Sequence, residues 1–397
     1  MIYSIKAQGI APSITLSIDA KAKKMKQEGI DVIGFGAGEP DFNTPENIQN
    51  AAIEAIKRGF TKYTAASGIK ELKEAIAQKF KNDNSLSYTH SQIVVSTGAK
   101  QSLANVFQAI LNPGDEVIIP IPFWVSYPEL VKLSDGVPKF IETTEENNFK
   151  YSISSLEKVV TNKTKAIIVN SPNNPTGTVY NREDLISIAD FAKKHDLVII
   201  SDEIYEKLIY SENKHVSIAS LSKDAYDRTV VINGVSKSYA MTGWRIGYAA
   251  CGDEKIAKLM SNIQSHVTSN PNSIAQYASV EALNGEQETI MHMLNEFNNR
   301  RKYMVNRINK IKYISCNEPE GAFYIMVNIS NIIGKSINGI CIKDSLTFSD
   351  VLLEEEKVAV IPGSAFGVDN YIRLSYATSL ENIENGLNRI ENFLNKF

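Results

Sequence analysis

The sequence is poor in residues that build disulfide frameworks and metal centres. Cys251, Cys316 and Cys341 are its three cysteines in 397 residues. They contain no CxxC and make an odd count, which argues for a reduced, intracellular protein without a disulfide scaffold or zinc site. The five histidines (His90, His195, His215, His266, His292) show no HExxH or other ligand spacing, so no metal is expected. No apolar run approaches the roughly 18 residues of a membrane span. The start, "MIYSIKAQGIAPSITLSIDAKAKKMKQEGI", is broken by Lys, Gln and Asp and does not read as a signal peptide. A cytoplasmic location is the expectation. The net charge of -3 leaves no basic footprint, so neither nucleic acid nor an anionic membrane is an expected partner. GxxxxGK[ST] is missing, and "GFGAGEPDF" (34–42) is not GxGxxG, so the common nucleotide fingerprints fail.

What is present is an ordinary globular composition, 43% hydrophobic and 22% charged, in a chain long enough for two or three domains. Between about residues 90 and 250, short apolar runs alternate with amphipathic stretches. "IVV" (93–95), "EVIIP" (116–120), "AIIVN" (166–170), "LVIIS" (197–201), "TVVIN" (229–233) and "GYAAC" (247–251) read as strands. Leu103, Val106, Phe107, Ile110 and Leu111 share one helical face, stopped by Asn112-Pro113-Gly114. Near-continuous apolar strands joined by helices predict an α/β fold, a mostly parallel sheet covered on both faces. Beyond about residue 285 the texture changes to a polar helix (286–310), "GAFYIMVNI", a helix near 345–356, "VAVIPG", "YIRLSYA" and a terminal helix. That predicts a smaller α+β unit at 286–397, with residues 1–45, which have no strand partner of their own, packing on it and 46–285 as the large domain.

Ligands of open α/β sheets sit beyond the carboxyl ends of the strands. After 93–95 comes Thr97-Gly98-Ala99-Lys100, a helix start whose free N–H groups suit a phosphate. After 116–120 comes Trp124, and after 166–170 "SPNNPTG", a stiff turn carrying Asn174. Asp202 and Tyr205 follow 197–201; Ser236, Lys237 and Arg245 follow 229–233. Two cations beside a core strand need an anionic partner, because a lone buried charge is very costly. Pyridoxal phosphate answers the whole set: phosphate for the nest, Ser236 and Arg245, a flat ring for Trp124, a pyridine nitrogen for Asp202. Its phenolic oxygen suits Tyr205 and Asn174, and its aldehyde condenses with Lys237.

Nine ordered motifs then carry a resemblance over about residues 10–390: "AGEPDF", "TKYTAASG", "GAKQ", "PFWVSYPE", "NSPNNPTG", "SDEIYE", "SKSYAMTGWRIGY", "PGSAF" and "YIRLSYA". In this order they resemble the fold-type-I pyridoxal-phosphate aminotransferases, and are similar to the bacterial and archaeal branch of aspartate aminotransferase. The resemblance implies a seven-stranded, mostly parallel sheet and a ping-pong exchange of amino acid and 2-oxo acid substrates. It implies that Lys237 bonds the cofactor and moves the substrate's proton, that Asp202 pairs the ring nitrogen, and that Tyr205 and Asn174 meet the phenolic oxygen. Gly98, Ala99, Lys100, Ser236 and Arg245 would hold the phosphate and Trp124 the ring. Tyr63 would reach the neighbouring subunit's phosphate in a homodimer with shared active sites. Arg373 would bind the substrate α-carboxylate beside Gly38, Trp124 and Asn174, with Lys100 and Thr15 at a distal carboxylate. Aspartate and 2-oxoglutarate are the expected pair; aromatic, broad-specificity and prephenate aminotransferases stay open, as does a carbon–sulfur β-lyase. A cofactor-binding regulator would need a module for which no residues remain.

Overall fold

A computed structural model describes residues 3–210, 212 and 214–397, so the first two residues of the expected 1–45 segment lie outside the described residues. The strands are β1 (Ile33–Gly34), β2 (Ile93–Ser96), β3 (Glu116–Ile121), β4 (Val137–Glu142), β5 (Thr164–Asn170), β6 (Val198–Asp202), β7 (Thr229–Gly234) and β8 (Gly247–Cys251). Then come β9 (Tyr324–Asn328), the hairpin β10 (Ser336–Ile337) with β11 (Ile340–Cys341), β12 (Val358–Ala359), β13 (Ile361–Pro362) and β14 (Tyr371–Ser375).

Seven of them form one sheet in the order β2-β8-β7-β6-β5-β3-β4. Pairing is parallel from β7 through β6, β5 and β3 to β4, whereas β8 runs antiparallel to both β7 and β2. Strands β2, β7 and β8 are buried at every position, because helices cover both faces and no side of the pleat meets water. One such helix, Arg182–Lys194, starts on a capping box between Asn181 and Asp184 and buries Leu185, Ile188, Ala189, Phe191 and Ala192. The helix Ala99–Ile110 starts at Gly98, whose φ of +83° suits glycine, and sinks Leu103, Val106 and Phe107.

A second sheet, β13-β14-β9, is antiparallel and belongs to the C-terminal elements. Its core joins Phe323, Ile325 and Val327 to Phe348, Leu352, Leu387 and Phe393, and also to Ile33 and Phe35 from the start of the chain. Ile33 and Phe35 of the N-terminal segment therefore pack on the C-terminal elements. That segment does have a strand partner, however: β1 pairs parallel with β12 through Ile33–Val358 and Gly34–Ala359. Two residues are too short to show a period-2 pattern, which is why the sequence carries no sign of it. Arg300 Nη1 donates to both carboxylate oxygens of Asp41, at 2.8 and 3.0 Å, fastening the "GEPDF" loop to the helix Glu288–Ile308. Among the described residues no helix is long and apolar enough to cross a membrane.

Candidate active site

The parallel strands β3, β5, β6 and β7 bring their carboxyl ends to one rim, and β8, running the other way, brings its amino end there. Hence Trp124, Asn174, Asp202, Ser236 and Lys237 follow or close their strands, whereas Arg245 precedes β8. All of them line one cavity of about 480 Å³, together with Ala99, Lys100, Tyr205, Gly38, Thr15 and Arg373. Gly98 sits at its edge: a Cβ there would strike the Arg245 guanidinium. Gly247, paired with Gly234, is equally tight, since its Cβ would run into the backbone of Gly98 and Ala99. Small residues thus bring a helix start and an arginine against the same spot. Tyr63 alone among the expected residues stands away from this cavity, 91% exposed on the surface.

Asp202 is 4% exposed at the last position of β6, where it accepts a hydrogen bond from the Tyr127 hydroxyl at 2.7 Å. Burial raises its pKa to about 6, against the opposing pull of Tyr127, the Ile204 amide and Lys237. Lys237 is partly buried and donates to the Gly38 carbonyl. Its pKa falls to about 8, chiefly by burial, with Glu39 opposing and Arg245 and Arg373 adding to the fall. The turn after β5 is pinned by Asn170, whose side chain donates to Asp202 O at 3.0 Å and Pro172 O at 3.2 Å and accepts from Asn174 N at 3.0 Å.

Arg373, on β14, is 3% exposed. Its guanidinium donates to Asn174 Oδ1 at 3.1 Å and Gly36 O at 3.0 Å, and lies over the rings of Tyr324 (4.3 Å) and Phe366 (5.1 Å). Its Nε has no partner, and among the described residues no carboxylate reaches it within 4.0 Å. A buried, unpaired guanidinium flanked by rings is a prepared seat for an anion. Among the described residues Arg245 likewise hydrogen-bonds only carbonyls, Thr242 O at 2.9 Å and Thr97 O at 3.5 Å. In all, five cationic side chains against three carboxylates line the cavity, an excess that suits anionic ligands.

A cavity that gathers a lysine amine, a buried acid and two arginines without carboxylate partners among the described residues, at the rim of a mostly parallel sheet, narrows the class, and comparison decides it. Residues 30–390 match the aminotransferase class I and II family. The chain belongs to that family. Pyridoxal 5′-phosphate is the cofactor of this aminotransferase family. The aspartate aminotransferase of Bacillus sp. (strain YM-2) is 51% identical over 389 residues, covering 98% of each chain. The probable aspartate/prephenate aminotransferase of Rickettsia bellii (strain RML369-C) is 49% identical over 98% of each. The crystal structure of the aspartate aminotransferase from Rhizobium meliloti superimposes with a TM-score of 0.96 at 43% identity, covering 100% of this chain and 99% of that one.

Two site residues escaped sequence reasoning. Tyr127 lies in a helix, where it reads as a core aromatic, and Tyr324 lies in the apolar run of β9. Only their distant partners, Asp202 and Tyr205, give the two hydroxyls a meaning. Close by, Glu203, Glu206 and His215 group their ligand atoms within 4.8 Å. Those atoms are already engaged: Glu206 by Lys79 and Asn84, Glu203 by Ser201, Ser217 and His215.

Proposed function

We propose that this aminotransferase transfers the amino group between L-aspartate and 2-oxoglutarate, as a cytoplasmic homodimer with shared sites. The observation that carries the dicarboxylate reading is a pair of cations on one cavity, Arg373 and Lys100. Neither has a carboxylate within 4.0 Å among the described residues. A dicarboxylic substrate needs two positive seats, and Thr15, hydrogen-bonded to Ser13 at 2.8 Å, lines the same space. The division into 1–45, 46–285 and 286–397 belongs to the same reading, with the cavity lined from all three.

The residues present fit the family's cofactor. Gly98, the amides of Ala99 and Lys100, Ser236 and Arg245 suit a phosphate dianion, joined by Tyr63 from a second subunit. Trp124 offers a flat face, Asp202 an acceptor for the ring N–H, and Tyr205 and Asn174 donors for the phenolic oxygen. Once bound, the cofactor supplies an electron sink beside the substrate's α-carbon. Lys237, its amine made less basic by burial, would take the substrate's α-proton as general base and hand it on as general acid. Arg373 and Gly38 hold the α-carboxylate so that the scissile C–H faces Lys237, and Asp202 keeps the ring nitrogen protonated.

The relatives named for both aspartate and prephenate favour one second reading, an acceptor range that extends to prephenate. Lys100→Ser tests the distal seat. It is expected to lower kcat/KM for aspartate roughly ten- to a hundred-fold, the worth of a charge-assisted hydrogen bond, while phenylalanine changes little. Equal losses for both donors would place Lys100 with the cofactor alone and remove the dicarboxylate reading.

A further inference from the structure

Tyr205 and Tyr324 face each other at 3.0 Å between hydroxyl oxygens, with rings at 83°. Both are buried, at 4% and 1% exposure, and both line the cavity. Neither hydroxyl has any other hydrogen-bond partner among the described residues. Each phenol owns one proton, so one donates to the other and the second proton is free to point into the cavity. Which way the bond runs decides whether Tyr205 or Tyr324 serves a ligand.

The surroundings choose. The Arg373 guanidinium sits 4.3 Å above the Tyr324 ring, where a cation draws electron density from the phenol and makes its proton easier to donate. Burial raises both phenols and Arg373 opposes it at both, but Tyr205 is pushed further up, the neighbouring Tyr324 adding to its rise while Arg373 is the second-largest influence on Tyr324. Of two hydrogen-bonded phenols the more acidic is the better donor.

We infer that Tyr324 is a positioning residue: it donates its proton to Tyr205 and so turns the proton of Tyr205 towards the phenolic oxygen of the bound cofactor. The inference rests on the aminotransferase reading, with Tyr205 at that oxygen. A chain of two hydrogen bonds polarises the last donor and strengthens it. Drawing charge from the phenolic oxygen weakens that oxygen's hold on the proton of the Lys237 nitrogen bonded to the cofactor. The network therefore keeps that proton's pKa low. Arg373, through the same ring, ties this setting to the seat for the substrate carboxylate.

The test is an absorbance titration of the bound cofactor in holoenzyme carrying Tyr205→Phe, Tyr324→Phe or both. Tyr324→Phe keeps the ring under Arg373 and removes only the hydroxyl. Its titration midpoint is expected to rise by about 0.4 to 1 unit, the worth of one neutral hydrogen bond. Tyr205→Phe should rise further, and the double variant should match Tyr205→Phe alone, because Tyr324 acts only through Tyr205. A normal Tyr205→Phe midpoint would sink the placement of Tyr205 itself. A shifted Tyr205→Phe with an unshifted Tyr324→Phe would overturn the inference and leave that placement standing. A Tyr324→Phe shift that persists undiminished on top of Tyr205→Phe would overturn it too, by giving Tyr324 its own contact.

Discussion

Tyr127 and Asp202, both almost wholly buried, meet at 2.7 Å on the wall of the cavity. Tyr127 donates, yet the carboxylate's pKa still rises to about 6, so burial outweighs the bond. An acid with a raised folded-state pKa destabilises the fold when ionised. The penalty is fully present above pH 6, shrinks as pH falls, and is gone below the unfolded value near 3.8. In cofactor-free protein Asp202→Asn should therefore stabilise at pH 8 by up to about 3 kcal/mol, with the advantage vanishing by about pH 4. Urea unfolding across that range measures it. With cofactor bound the order should invert, because the ring N–H then pairs the charge; an unchanged advantage would remove Asp202 from the ring nitrogen.

Lys237 titrates near pH 8, so about half of it is the neutral amine there, against about 0.4% for a solvated lysine. Limiting acylating reagent at pH 8, applied to cofactor-free protein, should label Lys237 ahead of the other lysines. Borohydride reduction of the holoenzyme should place the cofactor on the same residue in peptide maps. A label on another lysine in the second experiment would end the assignment. Lys237→Ala should abolish transamination while the cofactor-free protein still folds, with its stability near neutral pH no lower because a buried charge has been removed.

Arg245 and Arg373 should separate cleanly in kinetics. Arg245→Ala should weaken cofactor binding by about ten- to a hundred-fold, since it removes a charged partner of the phosphate. Arg373→Gln should cost roughly thirty- to several-thousand-fold in kcat/KM for every amino donor, with cofactor affinity much less affected. Equilibrium dialysis and a donor panel give the two numbers. The reverse pattern would exchange the two arginines' roles.

Tyr63 is 91% exposed in the single chain, beside Phe60, which stacks on Tyr277 at 4.0 Å. If it serves a second subunit's phosphate, mixing Tyr63→Phe with Lys237→Ala should restore part of the activity that each lacks. Sedimentation of a fully active monomer would refute shared sites.

The strands of the large sheet that are buried on both faces were legible because "AIIVN" or "TVVIN" has no other economical reading. β4 was not. Its sequence, "VPKFIE", is exposed at three of six positions at the sheet edge and carries a proline and a lysine, features that blunt edges and erase the strand signal. The site was legible for a related reason: polar side chains just past apolar runs stand out against their neighbours. Arg373 stands out even within "YIRLSYA", because a charge inside a buried strand demands an explanation. Tyr324 does not, since one phenol in an apolar strand draws no notice until a partner 119 residues away meets its hydroxyl. Local pattern exposes charge; it conceals a hydroxyl whose role lies wholly in a distant partner.

Arg373 touches Asn174 in the turn after β5 and Gly36 beside β1, partners 199 and 337 residues away in sequence. Two sheets and the start of the chain are thus laced through one guanidinium whose Nε has no partner among the described residues. A carboxylate arriving there is a rivet as much as a reactant. Saturation with an unreactive dicarboxylate should slow amide exchange at Asn174 and Gly36 together. A ligand that protected one and left the other unchanged would be bound somewhere else.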